Sequence, residues 1–306
     1  MKRPVLIAYC LTFLLTTVGL SAEPLADLGP IGKIQKLHTD FQFTEGPTKT
    51  PDGTIYFTDI PADRIYEIST DGKLSVFLEP AGHCNGLMTT ADGTLYACSM
   101  DGQLITIDRK TKKVTPLASE YKGNRFNAPN DLVIDKSGGI YFTDPHFRAP
   151  EPLPQGKTAV YYRKTDGKVT RLLDDLKAPN GVILSPDEKT LYVIPSMQSE
   201  MIAYPVNSPG KLGKGKLFCK LQQKEGQTGG GGDGLTVDTE GNLYITTGLG
   251  LQVYNPAGKL LTIIELPEQP ANVTFGGEGN HTLYVTARKS LYTVKMNATG
   301  HQFPGK

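Results

Sequence analysis

The sequence predicts an all-β protein, a six-bladed β-propeller whose last blade is closed by a strand from the N-terminal part of the chain. Three observations support this prediction. A pair of short β-strands around a polar turn occurs six times, two further strand-like segments follow the early copies, and one strand is missing after the last copy. Four strands per repeat of about 40–45 residues are typical of a propeller blade.

The repeated unit starts with a polar residue, continues as an apolar strand, turns, and returns through a strand that contains a tyrosine. Asp-Gly, Ser-Gly or similar pairs form the turn, as in "EGPTKTPDGTIYFTD" and "NDLVIDKSGGIYFTD", because these residues tolerate the positive φ that tight hairpins require. We call the six starting residues the head residues. They are Glu45, Asn85, Asn130, Asn180, Asp233 and Asn272, with spacings of 40, 45, 50, 53 and 39 residues.

Closure of the ring follows from counting strands. In the first copy, "RIYEIST" and "KLSVFLE" supply the third and fourth strands, but after the sixth copy only "SLYTVKM" (290–296) remains. The segment "GKIQKLHT" (32–39) can supply the missing strand. We predict that it completes the last blade, because this arrangement leaves no blade with an unpaired edge.

The N-terminus predicts export. Lys2 and Arg3 precede an uncharged apolar run over residues 5–20, and Ser21-Ala22 follows it, which is the layout of a secretory signal peptide. We expect removal of residues 1–22 and localisation in the periplasm or outside the cell, with residues 23–306 forming a single propeller domain without a stable membrane span. A membrane anchor is the alternative, although the apolar run is somewhat short for one.

Composition narrows the range of partners. The formal net charge of the 306 residues is +1, so no basic surface for nucleic acid is indicated. Beyond the predicted signal peptide, an odd number of cysteines remains, and we expect Cys84, Cys98 and Cys219 to be buried apolar residues. Sequence motifs for a hydrolase nucleophile elbow, a phosphate-binding loop or a zinc site are absent.

The head residues predict a metal site. Equivalent positions of the blades lie at equivalent places around the propeller axis, so the heads would direct oxygen-bearing side chains to one mouth of the channel. Hard divalent cations such as Ca²⁺ prefer carboxylate and amide oxygens. The alternative is that Asn-Gly and Asp-Gly begin strands because they tolerate turns, which leaves Glu45 unexplained. His83 and His146 are expected near the same mouth and are candidate pocket residues.

At these residues the chain resembles the SMP-30/gluconolactonase/luciferin-regenerating-enzyme family, in particular its bacterial gluconolactonase and lactonase branch. The most specific segments are "FTEGPTKTPDGTIYFTD", "RFNAPNDLVIDKSGGIYFTDPHF", "APNGVILSPDEKTLYV" and "GGDGLTVDTEGNLYI", within roughly residues 40–290. The resemblance implies a six-bladed propeller with one divalent cation, usually Ca²⁺, with Mg²⁺, Mn²⁺ and Zn²⁺ as alternatives. By similarity, Glu45, Asn180 and Asp233 would be metal ligands, and Asn130 a fourth ligand or a substrate contact.

The implied function is that of an exported, metal-dependent hydrolase that opens small-molecule lactones or esters. Asp233 would be the catalytic residue that activates water, and Asn85, Asn130, His83 and His146 would contact the substrate. A phosphotriesterase or arylesterase on the same site, and a non-catalytic propeller held together by calcium, are the alternatives. Animal members of the family carry a sugar-contacting arginine where this chain has Ala128, which argues against strict selection of sugar lactones.

Overall fold

A closed ring of six antiparallel sheets forms the molecule in the computed structural model, which describes residues 28–304. The innermost strands of successive sheets contact each other around the ring, and the last contacts the first. This arrangement confirms the predicted six-bladed propeller. The predicted signal peptide, residues 1–22, lies outside the described residues. No helix within residues 28–304 is long and apolar enough to cross a bilayer.

The first three blades each have four strands in chain order, running from the axis outward. The first strand of the chain, β1, spans Gln35–His38 and belongs to the last blade. The strands of the first blade are β2 (Thr44–Lys49), β3 (Ile55–Asp59), β4 (Arg64–Ile68) and β5 (Leu74–Leu78). Those of the second are β6 (Cys84–Thr89), β7 (Leu95–Ser99), β8 (Gln103–Ile107) and β9 (Val114–Ala118). A small hairpin of β10 (Glu120–Tyr121) and β11 (Asn124–Arg125) leads to the third blade. That blade has β12 (Leu132–Ile134), β13 (Ile140–Asp144), β14 (Ala159–Arg163) and β15 (Val169–Leu173).

The remaining three blades follow the same plan with one departure. The strands of the fourth blade are β16 (Pro179–Leu184), β17 (Thr190–Pro195), β18 (Glu200–Ser208), β19 (Lys211–Leu212) and β20 (Lys216–Lys220). Those of the fifth are β21 (Leu235–Val237), β22 (Leu243–Thr247), β23 (Gly250–Tyr254) and β24 (Leu260–Ile264). The sixth contains β25 (Asn272–Gly276), β26 (Thr282–Ala287) and β27 (Ser290–Lys295), with a single 3₁₀ turn at Glu278–Asn280. The expectation of four strands per blade is therefore wrong for the fourth blade. Strand β18 is longer than its neighbours, and its C-terminal part pairs with β19 through a turn at Gly210.

The N-terminal strand closes the ring as predicted. Strand β1 pairs antiparallel with β27, with Gln35 opposite Thr293 and His38 opposite Leu291. The sixth sheet thus has the order β1, β27, β26, β25 and reaches four strands only with this contribution. An early and a late segment of the chain are thus joined in one sheet, and this pairing closes the ring.

Apolar residues from the facing sheets of adjacent blades form the core. Tyr141, Tyr161, Tyr244 and Tyr292 are among the largest fully buried side chains, and their hydroxyl groups find polar partners at the edge of the core. The Tyr244 hydroxyl, for example, donates to Asp238 at 3.0 Å. Buried tyrosines of this kind contribute apolar area while satisfying their one polar group. Cys84, Cys98 and Cys219 are buried free thiols, as predicted.

At the axis, adjacent blades meet through backbone atoms rather than side chains. The residue that follows each head is glycine in four copies, and in three of them its N–H reaches the next blade: Gly86 donates to the Asn130 carbonyl at 2.8 Å, Gly181 to that of Asp233 at 2.9 Å and Gly234 to that of Ala271 at 2.8 Å. Gly46 has a φ of 44°, and a Cβ there would lie 1.9 Å from the Asn85 carbonyl oxygen. A larger residue would force the blades apart.

We expect Gly46→Ala to lower the free energy of unfolding by about 3 kcal/mol or more, because the added methyl group overlaps backbone atoms of the second blade and the residue keeps a left-handed conformation. Denaturant unfolding followed by circular dichroism measures the loss. Gly72→Ala is the matched control, since Gly72 also has a positive φ of 85° but open space around it. Equal losses in the two variants would show that backbone conformation, and not close packing at the axis, sets the requirement for glycine.

Candidate metal and substrate site

Five of the six head residues line one cavity at an end of the propeller channel. The cavity has a volume of about 340 Å³, and its wall contains the polar residues Glu45, Asn85, Asn130, Asn180 and Asp233. The rest of the wall is mixed: it contains the apolar residues Phe43, Ile60, Met100, Phe147 and Pro270, the polar residues Ser196, Thr246, Thr247 and Gln269, and three glycines. The repeat therefore brings the predicted ligand residues together within a partly apolar pocket.

Asn272, the sixth head residue, contacts this group without lining the cavity. Its Oδ1 accepts a hydrogen bond of 2.8 Å from the N–H of Val273, and the residue lines a separate cavity along the innermost strands. Its side chain also hydrogen-bonds Glu45, which lowers the pKa of that carboxyl. Five heads therefore line the cavity, and the sixth supports one of them from behind.

Glu45 and Asp233 place two carboxyl groups in the site. Burial raises the pKa of Glu45 well above its ordinary value, and the negative charge of Asp233 raises it further. Burial likewise raises the pKa of Asp233 to about 7, against a hydrogen bond from Asn180 and the charge of Arg288, which both lower it. Two acids that oppose each other's ionisation are typical of a site that receives positive charge from a ligand.

Each of these carboxyl groups is bonded to its surroundings. Glu45 Oε2 accepts the N–H of Gly46 at 2.9 Å, and the Glu45 carboxyl also takes a side-chain hydrogen bond from Asn272. Asp233 Oδ1 accepts the Asn180 Nδ2 at 2.6 Å, and Asn180 Nδ2 also donates to Ser196 Oγ at 2.9 Å. Asp233 Oδ2 and Asn180 Oδ1 accept no hydrogen bond from residues 28–304.

The other two amides have few protein partners. Asn130 is buried and lines the cavity, yet its side chain forms no hydrogen bond with any described residue. Asn85 makes only a long contact from Nδ2 to Met100 Sδ, at 3.9 Å. Buried polar groups are rarely left without a partner. The cavity thus presents both amide oxygens and amide NH₂ groups to whatever occupies it.

This set of atoms fits a hard divalent cation. Two carboxylates and two amide oxygens, from Glu45, Asp233, Asn130 and Asn180, are ligands that Ca²⁺, Mg²⁺ and Mn²⁺ prefer, whereas Zn²⁺ prefers histidine and cysteine. The described residues contain no group of three or more His, Cys, Asp or Glu side chains suited to a metal. A site at this position therefore depends on the amides as well as on the acids.

Asp131 is a third acid close to the axis that the sequence analysis did not single out. Its Oδ1 accepts the N–H of Leu132 at 2.9 Å and its Oδ2 that of Val182 at 3.3 Å, so it joins the third blade to the fourth. Burial raises its pKa to about 7. A signal was present in the sequence, because Asp131 occupies the position after the head where four other copies have glycine.

The two candidate histidines lie outside the cavity wall. His83 Nδ1 lies 3.0 Å from Asp101 Oδ2, and the backbone N–H of His83 donates to Asp63 Oδ1. The ring of His146 packs against Phe147, which does line the cavity. Both histidines belong to loops that flank the mouth, and their contact with a substrate stays a prediction.

Two aspartates fix the loops that carry the heads. Asp59, at the end of β3, accepts the backbone N–H groups of Gln42 and Phe43, both at 2.9 Å, three and two residues before Glu45 respectively. Asp144, at the end of β13, does the same for the loop before Asn130 in the third blade. The Tyr-Phe-Thr-Asp sequence shared by the two copies thus ends in a carboxylate that positions a head residue.

We expect Asp59→Asn to lower the free energy of unfolding by about 1–3 kcal/mol, because the amide can accept one of the two buried N–H groups but places its own NH₂ against the other. Thermal and denaturant unfolding measure the effect. Asp166→Asn is the control, since Asp166 accepts one N–H in an exposed turn. An Asp59 variant as stable as the control would mean that the loop before Glu45 is held by other contacts.

Comparison with known proteins places this geometry in a family. Residues 43–289 match the SMP-30/gluconolactonase/LRE-like region. A gluconolactonase of Zymomonas mobilis is 30% identical over 87% of this chain and 82% of its own. A solved structure described as a gluconolactonase of Xanthomonas campestris superposes with a TM-score of 0.78 at 29% identity, covering 86% of this chain and 89% of that one.

A calcium-binding protein, regucalcin of Agrobacterium tumefaciens, superposes with a TM-score of 0.76 at 25% identity, over 88% of this chain and 96% of that one. The family match spans all six head residues and every blade of the propeller. The chain belongs to the SMP-30/gluconolactonase/LRE-like family.

Proposed function

We propose that this protein is an exported, metal-dependent lactone hydrolase that uses a single divalent cation, Ca²⁺ first among the candidates. The observation that carries the proposal is the convergence of two carboxyl groups and three amides on one partly apolar cavity. Relatives are named gluconolactonase and lactonohydrolase, so the chain is related to enzymes that hydrolyse lactones. Export rests on the N-terminal sequence alone.

Glu45, Asn130, Asn180 and Asp233 would hold the cation through their side-chain oxygens. Bound there, the ion supplies Lewis-acid polarisation of the ester carbonyl and balances the two carboxylates. The solved relative described as calcium-binding supports a divalent ion in this family. The oxygen-only donor set favours Ca²⁺, Mg²⁺ or Mn²⁺ over Zn²⁺.

Asp233 is the residue we assign to the chemical step. Its Oδ1 is fixed by the hydrogen bond from Asn180, which leaves Oδ2 at the cavity to take a proton from water as the water oxygen attacks the ester carbonyl. The ring C–O bond then breaks, the proton passes to the departing alkoxide, and the product is a hydroxy acid. The carboxylate is regenerated in the same cycle.

The remaining wall residues would position the substrate. Asn85 and Asn130 can donate from their amide NH₂ groups to a lactone oxygen, while Phe43, Ile60 and Phe147 surround the rest of the ring. His83 and His146 would act from the flanking loops. With Ala128 buried and its N–H bound to Asp144, the wall offers no arginine at the position where animal relatives are expected to contact sugars.

Chelation tests the metal. We expect EDTA to abolish hydrolysis of δ-gluconolactone and of a lipophilic lactone, and added Ca²⁺ to restore both, because the two buried carboxylates need a counter-charge. Ca²⁺ should also raise the midpoint of thermal unfolding of the chelated protein. Glu45→Gln is the matched variant and should lose the Ca²⁺-dependent thermal shift. Undiminished hydrolysis in EDTA would exclude a dissociable metal from the reaction.

Asp233→Asn separates chemistry from folding. We expect a loss of kcat of about 100-fold or more with unfolding behaviour close to that of the wild type, because the amide retains an oxygen but cannot take the proton. Asp166→Asn should leave kcat unchanged. Turnover of Asp233→Asn at the wild-type rate would remove Asp233 from the chemical step. Hydrolysis of phosphotriesters or aryl esters with no lactone turnover would instead favour the alternative substrates for the same site.

A further inference from the structure

The mouth of the cavity carries an arginine, Arg288, that forms no close ion pair with the described residues, although its charge lowers the pKa of Asp233. Arg288 lies in the two-residue turn between Ala287 and Ser290 that joins β26 to β27. Its guanidinium lies 5.6 Å from the ring centroid of Phe43, and one Nη donates to Gln269 Oε1 at 3.1 Å. Phe43 and Gln269 both line the cavity, so the guanidinium lies at its rim.

Among residues 28–304, no carboxylate oxygen lies within 4.0 Å of this guanidinium, and Gln269 is its one side-chain hydrogen-bond partner. Arg64 and Arg109, by contrast, each form an ion pair with a nearby acid. An arginine presents several N–H donors in a fixed plane that matches an oxyanion. Most of those donors on Arg288 are available to a ligand.

The backbone at Arg288 holds the side chain in place at some cost. Its φ is 50°, a left-handed conformation that costs an L-residue roughly 1–2 kcal/mol and that glycine or asparagine would adopt more easily in a tight turn. The Arg288 carbonyl accepts the N–H of Thr44 at 2.8 Å, so the turn is tied to the residue immediately before Glu45. Such an outlier at the edge of a site points to a use for the side chain.

The charged groups of the cavity wall are acidic, opposite in sign to Arg288. Within the described wall, the charged residues are Glu45 and Asp233, and both would be neutralised by the cation of the proposed function. Lys224 lies on the same side of the mouth, with its Cε 3.8 Å from the position of a Cβ built on Gly248, another wall residue. Arg288 and Lys224 are thus two cations on this side of the mouth, and the nearby carboxylate of Glu268 is engaged by Lys36, Ser290 and the N–H of Lys289.

We propose that Arg288 selects lactones that carry an anionic substituent, a carboxylate, by binding that group at the rim while the lactone ring enters the cavity. This inference rests on the proposed function for the identity of the ring, but the anion site itself follows from Arg288, Phe43 and Gln269. The proposed arginine belongs to the sixth blade. The resemblance to the family would instead place a substrate-binding arginine in the third blade, at the position of Ala128.

A pair of isosteric substrates tests the proposal: γ-butyrolactone bearing a ring carboxylate, and the corresponding carboxamide. We expect Arg288→Gln to lower kcat/KM for the carboxylate about 10- to 100-fold and to change that for the carboxamide less than about 3-fold, as expected for loss of a charge-assisted hydrogen bond. Arg288→Lys should retain part of the preference, because charge survives but the planar fork does not. Lys289→Gln, the neighbouring exposed turn residue, should behave as the wild type.

Equal losses for both substrates in Arg288→Gln would overturn the proposal and assign Arg288 to the common chemistry at Asp233. A wild-type enzyme that opens neutral lactones but does not favour the carboxylate would also overturn it while leaving the proposed function intact. If no lactone is opened, the proposed function fails, and the anion site is judged by binding of tetrahydrofuran-2-carboxylate in ligand-observed NMR titrations. Binding that is lost in Arg288→Gln and kept in Lys289→Gln supports the site; no binding to the wild type overturns it.

Discussion

The contact between neighbouring backbones at the propeller axis is the constraint on which the site depends. The N–H groups of Gly86 and Gly181 donate directly to the carbonyl groups of Asn130 and Asp233 in the next blade. These bonds set the separation of adjacent heads, and only residues without a side chain allow them at this distance. Because the ring is closed by β1 in the sixth blade, no blade can shift alone to relax the separation.

A frame of this stiffness allows groups that repel one another to be held together. Burial raises the pKa values of Glu45, Asp131 and Asp233, and the charge of Asp233 raises those of Glu45 and Asp131 further. Burying such groups costs stability. Asp131 is satisfied by two backbone N–H groups, whereas Glu45 and Asp233 line the cavity. The difference separates an acid that joins two blades from two acids that face a ligand.

The repeat made much of this architecture predictable. The six heads, the hairpins and the missing strand are properties of spacing and pattern, and the structure has them as expected. What could not be predicted depends on contacts between segments with no repeat relationship. Asn272 bonds to its own strand, β19 forms where β18 happens to be long, and Arg288 meets Phe43 of another blade. Spacing along the chain carries no information about these distances.

Departures from the repeat nevertheless have a common meaning. A propeller with six identical blades would present six identical heads, which could bind an ion but could not orient an asymmetric ester. Here a carboxylate replaces the amide at Glu45 and Asp233, an aspartate replaces glycine at Asp131, and the turn of the sixth blade carries Arg288 where the fifth has Gly248. The symmetric frame fixes positions, and the substitutions assign a different chemical role to each position. In such a fold, the residues that break the repeat at the axis and at the adjacent turns are the first to examine for function.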